Sequence, residues 1–143
     1  MPKAGGCVGE NRKRQPAYEK LQFYQNICEL RKLIFTITMK FGRENYKLVS
    51  QMRDAARSAK QNIREGYRKR SAGEFAHSIR ISQGSLEELS GDIDDSFEDK
   101  LINEEEHRTV QELINSAIYL SGRYLISLAK MKDEDKWKKP FVV

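Results

Sequence analysis

The chain has 143 residues, and its 26 lysines and arginines outnumber its 21 aspartates and glutamates; 33% of it is charged, above the roughly 25% of an ordinary soluble domain. A single domain of about this length buries enough surface to fold without staples, and its two cysteines, Cys7 and Cys28, give neither a disulfide framework nor a paired zinc spacing. No stretch approaches the roughly 18 apolar residues of a membrane span and the N-terminus lacks the apolar core of a secretory signal, so a cytoplasmic protein with no membrane partner is expected.

Residues 1–16, with Gly5, Gly6, Gly9 and the run Arg12-Lys13-Arg14, read as a disordered basic arm. A helix is expected from Tyr18 onward, because Phe23, Ile27, Leu30, Ile34, Ile37 and Phe41 step by 4, 3, 4, 3, 4 along one face, and Gly42 is placed to stop it. Leu21, Tyr24, Leu33, Phe35 and Met39 lie off that stripe, a face wide enough to suggest burial beyond one subunit's core. Cys28 in this pattern reads as a small buried apolar residue. A second helix spans about residues 46–67, with Leu48, Met52, Ala55, Ala56, Ala59, Ile63 and Gly66 inward; its small residues let a neighbouring backbone come close. Ser71-Ala72-Gly73-Glu74 fits a capping box for a third helix carrying Phe75, Ile79, Ser82, Leu86, Leu89, Ile93 and Phe97. Asn103-Glu104-Glu105-Glu106 repeats that signature before Val110, Ile114, Ala117, Ser121, Tyr124, Leu128 and Met131. Short loops make neighbours antiparallel, so the expected fold is all-α, an up-down-up-down antiparallel four-helix bundle over residues 17–132, with a charged and apolar C-terminal tail at 133–143.

Net charge hides a segregation. Residues 47–70 hold eight basic and two acidic side chains, whereas 86–106 hold one basic and ten acidic. Arg53, Arg57, Lys60, Arg64 and Arg68 step by 4, 3, 4, 4 and form a cationic stripe; Glu88, Asp92, Asp95 and Asp99 form an anionic counterpart on the third helix. Counted from a turn near Ser71, Arg53 and Arg57 come level with those acids, while Lys60 and Arg64 fall level with Ser82 and Ser78. Two readings stand side by side: stripes spent on contacts within or between subunits, or a basic cluster for phosphate backbones formed by Arg57, Lys60, Arg64, Arg68, Lys69, Arg70 and the arm residues Arg12, Lys13 and Arg14. No zinc-finger, RNA-recognition or helix-turn-helix signature is visible, so binding to RNA or DNA would follow the backbone and weaken with salt.

Enzyme readings find little footing. Glu74-x-x-His77 and Glu104-x-x-His107 have the spacing used by di-iron bundles, but each opens its helix, and antiparallel helices put the two starts at opposite ends of a bundle roughly 35 Å long. Glu74 and Glu106 are better explained as caps and the histidines as exposed first-turn residues. The Gly5-to-Gly9 glycines lack the Lys-Ser/Thr of a phosphate loop, and no Gly-x-Ser-x-Gly elbow occurs. No enzymatic activity, cofactor or metal is expected.

The string Tyr46-x-Leu48-x-x-Gln51-x-x-x-Ala55-Ala56-x-Ser58-x-x-x-Asn62-Ile63-x-Glu65-Gly66, followed by Ser71-x-x-Glu74-Phe75 and Gly84-Ser85-Leu86-x-Glu88-Leu89, resembles the proteins encoded within intervening sequences of bacterial 23S ribosomal RNA genes, over about residues 21–132. That resemblance implies a four-helix bundle assembling as a ring-like homopentamer, without enzymatic activity. Relatives include the basic accessory variability protein of diversity-generating retroelements, which works beside a reverse transcriptase and nucleic acid. Where such proteins carry apolar or small residues, and often a proline, in the second helix, this chain has Arg57, Lys60 and Arg64. The basic cluster points to binding of nucleic acid without sequence preference, and the resemblance implies a homo-oligomeric accessory protein that assists a retroelement reverse transcriptase. Its alternative is an interaction scaffold whose stripes and apolar tail make subunit or partner contacts.

Overall fold

The computed structural model describes residues 21–69 and 71–133. Four helices follow in order, α1 (Gln22–Thr38), α2 (Tyr46–Tyr67), α3 (Ala72–Glu98) and α4 (Glu104–Asp133), with a 3-10 turn (Arg43–Asn45) ahead of α2 and no strand among the described residues. Each helix turns most of its apolar stripe inward: Ile27, Leu30 and Ile34 from α1, Met52, Ala59 and Ile63 from α2, Phe75, Ile79, Leu86, Leu89 and Ile93 from α3, and Val110, Ile114 and Ala117 from α4 are all fully buried, whereas Phe97, expected on the α3 stripe, is 38% exposed where the helix runs out. Helix α1 packs on α2 and α4, and α3 packs on α2 and α4, so the short connections close the expected antiparallel four-helix bundle. The arm at 1–16, the tail residues 134–143 and Arg70 lie outside the described residues.

Small residues draw α2 and α3 together. The Ser82 hydroxyl donates to the Ala59 carbonyl at 2.8 Å, Ser58 and Ser85 share a hydrogen bond at 3.0 Å, and Gln51 Nε2 donates to Asp92 at 2.9 Å. Near the lower end of this seam a methyl on Gly66 would stand 2.3 Å from Ser78 Cβ and 3.1 Å from Phe75 Cδ1. The close approach expected of Gly66 is therefore real, and only a hydrogen fits there. Asn62 bonds back to the Ser58 carbonyl at 2.9 Å within its own helix. Below the seam, one aromatic ring from each helix closes the core: Tyr67 meets Phe75, and Phe75 and Phe23 both meet Tyr124, with centroids 5.7–6.0 Å apart.

The helix ends explain the chain's turns. Ser71 Oγ accepts from the Glu74 amide at 3.1 Å, and Asn103 and Glu106 cap each other reciprocally, side chain to backbone, at 2.7 and 2.9 Å. Helix α3 ends in a Schellman motif: Leu101 N–H reaches the Ser96 carbonyl, Lys100 N–H reaches Phe97, and Lys100 takes a positive φ of 64°. Two expectations are corrected at α1. Leu21 is extended and the helix starts at Gln22; it stops at Thr38, where bonds of the tighter i to i−3 type close the last turn, while Gly42 lies past it in ordinary extended backbone. Of the residues off the α1 stripe, Tyr24 is fully inside this subunit's own core and only Phe35 and Met39 remain substantially exposed. Cys28 is fully buried, as expected.

Candidate nucleic-acid interface

The register counted from the turn holds, since Ala59 meets Ser82 and Gln51 meets Asp92. The side on which the cationic stripe lies does not. Gln51, Ser58 and Gly66 occupy the edge of α2 that faces α3. Arg53 turns the other way, to α1, where its Nε donates to Thr38 Oγ1 at 2.9 Å, its Nη2 to the Phe35 carbonyl at 3.2 Å, and its guanidinium lies 4.2 Å from the Phe35 ring centroid. Arg57 pairs with Asp54 one turn back on its own helix at 3.4 Å, an exposed pair worth well under about 1 kcal/mol. Neither arginine meets the α3 acids that the sequence put level with them. The physical reason is angular: at 100° per residue, Arg53, Arg57, Lys60 and Arg64 cluster around one line of the helix, and that line lies on the α1 side.

Farther down, Arg64, Arg68 and Lys69 are exposed and Lys60 is half-buried. Arg64 and Arg68, with Gln61 and Glu65, line a small surface cavity of about 170 Å³. The antiparallel topology adds exposed Arg80 from the start of α3 and Lys130 from the end of α4 to this same end of the bundle. Neither belongs to the predicted set: Arg80 lies level with Lys60 and Arg64 by the count from the turn, and Lys130 is brought there by α4 alone. At the opposite end stand the exposed acids Asp94, Asp95, Glu98, Asp99, Glu104 and Glu105. Exposed Glu65 and Glu74 share the first end, and exposed Lys40, Arg43, Lys47, Lys100 and Arg108 share the second, so each end carries an excess of one sign and not a pure charge. Arg12, Lys13, Arg14 and Arg70 complete the predicted set but lie outside the described residues.

The acids are held apart from the stripe. Burial pushes the Asp92 carboxyl up, the hydrogen bond from Gln51 pulls it down, and the charges of Glu88 and Asp95 push it further up, for a net rise. Burial also pushes Glu106 up, but the hydrogen bond and charge of Lys40, with the Asn103 amide, outweigh it and hold Glu106 below the usual carboxylate range. Lys40 Nζ reaches Glu106 at 2.7 Å. His77 is exposed as expected. His107 is not: it is half-buried, stacked on Phe97 with centroids 4.6 Å apart and bonded to Asp94 at 2.8 Å. The two Glu-x-x-His words sit at opposite ends, and no group of three metal-ligating side chains occurs among the described residues. No helix among these residues is long and apolar enough to cross a membrane.

A family model described as 23S rRNA-intervening sequence protein matches residues 19–121. No curated protein matches the chain.

Proposed function

The chain belongs to the 23S rRNA-intervening sequence protein family, and from that premise we propose that it is a non-enzymatic, homo-oligomeric accessory protein that holds RNA or DNA by its phosphates. Arg57, Lys60, Arg64, Arg68 and Lys69, with Arg70 and the arm residues Arg12, Lys13 and Arg14, make the contact. The observation that carries the reading is the uneven distribution of charge: exposed Arg64, Arg68, Lys69, Arg80 and Lys130 outnumber exposed Glu65 and Glu74 at one end, while exposed acids outnumber exposed bases at the other. A polyanion is drawn to the first end and repelled from the second, so the molecule binds in one orientation. A ring of subunits, pentameric by resemblance, multiplies the basic surface, and a reverse transcriptase of a retroelement is the partner beside which such a protein works.

The test is fluorescence anisotropy of labelled RNA and of single- and double-stranded DNA at several salt concentrations, with mass followed by light scattering. Affinity is expected to fall steeply with salt, with a log–log slope of about −0.7 to −0.9 per phosphate neutralised. Arg64→Glu with Arg68→Glu abolishes retention and leaves the assembly intact. Loss of assembly in that pair, or no binding by the wild type at low salt, overturns the proposal in favour of a scaffold. Exposed Met39, Tyr119 and Ile126, each more than 60% accessible, are the observation that favours the scaffold reading.

A further inference from the structure

The upper end of the cationic line does not stop at a charge. It stops at a flat aromatic surface. Phe35 is 48% exposed, and Arg53, first residue of the line, is fixed over its ring by bonds to Thr38 Oγ1 and to the Phe35 carbonyl itself. Three contacts hold the guanidinium, so the pair is preorganised and needs little ordering when a base joins it. Arg31, one turn before Phe35 on the same edge of α1, has a buried Nε with no acceptor among the described residues. From Arg53 to Arg68 the line covers fifteen residues of helix, about 22 Å at 1.5 Å per residue.

A cationic track beside an exposed aromatic is the arrangement that holds single strands, because the track follows phosphates while the ring takes a base face of any sequence. A duplex offers the same phosphates but keeps its bases paired and stacked inside, out of reach of a side chain on a convex helix edge. Resting on the nucleic-acid reading above, we infer that the ligand is a single strand, whose phosphates follow the α2 line and one of whose unpaired bases stacks on the Phe35–Arg53 pair. Phe35 is thereby the residue that separates single strands from duplexes. The base has no hydrogen-bond reader there, so the preference is for strandedness and not for sequence.

The experiment uses the full chain and labelled oligonucleotides of about 12 nucleotides, within the usual site size of such proteins: oligo-U RNA, oligo-dT, and a mixed-sequence DNA duplex. Phe35→Ala is expected to weaken both single strands by about 5- to 150-fold, the loss of one stacked base, while duplex affinity and the salt slope stay unchanged. Phe35→Leu, which keeps an apolar side chain beside Arg53, loses the same factor, and Phe35→Trp retains the affinity; circular dichroism checks that all three are folded. Equal loss on single strands and duplex, or no loss on either, overturns this inference and leaves phosphate binding standing. If wild type binds none of the three probes, the functional reading falls and this inference falls with it.

Discussion

Glycines on α2 and α3 have opposite meanings. At Gly66 an added methyl meets Ser78 Cβ at 2.3 Å, and the obstacle is a stiff neighbouring helix. Gly66→Ala is expected to destabilise by about 2–3 kcal/mol through overpacking, with partial recovery in the double variant with Ser78→Gly, as measured by urea denaturation. At Gly84 nothing lies within 4 Å and the position is an exposed helix interior, so Gly84→Ala is expected to stabilise by about 1 kcal/mol. The sequence made the special status of Gly66 readable, because alanines and serines at helical spacing around it announce a close seam. It could not assign the direction of Arg53, whose anchors Thr38 and Phe35 belong to another helix and are brought there by packing alone.

At the scale of the elements, the caps were legible, Glu106 among them, while the environments that shift the carboxylates were not. Ser71 and Asn103 announce their helices by local chemistry, which acts within four residues and is written in the order of the chain. Asp92 and Glu106 look alike in sequence but fold into opposite environments, and their effects on stability have opposite signs. Glu106 is held low in the folded protein, so its contribution is present above the unfolded carboxylate value and is lost as pH falls through the folded one. Asp92 is held high, so its contribution is largest below the unfolded value and is lost as pH rises through the folded one. Glu106→Gln is therefore expected to lower the melting temperature at pH 7, with the deficit shrinking in acid. Asp92→Asn, which keeps an acceptor for Gln51, is expected to raise it at pH 7, with the gain vanishing in acid. Thermal melts of both variants against wild type from neutral to acid pH read the two trends in one series.

For the whole molecule, the bundle was visible in the sequence because four uninterrupted stripes joined by short turns leave few other ways to bury them. The candidate surface was visible only in part. Periodicity grouped Arg53, Arg57, Lys60 and Arg64 into one line, but which neighbour that line faces depends on how the helix is rolled in the bundle, and Gln51, Ser58 and Gly66 decide that by taking the α3 side. Arg80 joins the basic end across the tight α2–α3 turn, and Lys130, far from α2 along the chain, joins it because α4 ends there.

The seam between α2 and α3 also sets an order of opening. These two helices share the most extensive packing in the bundle, and a turn of only a few residues joins them, so the chain entropy lost in bringing them together is small. They form the natural last-surviving unit when the protein fluctuates. In native-state hydrogen exchange, the amides of Ala59, Ile63, Ile79 and Ser82 are expected to exchange only through global unfolding, while α1 amides exchange through smaller openings at low denaturant. Slower exchange in α1 than in α2 and α3 would contradict this order. If the single-strand proposal holds, the cationic line rides on the pair of helices expected to persist and Phe35 on the one expected to open first, so a partial opening would release the base while the phosphates stay held.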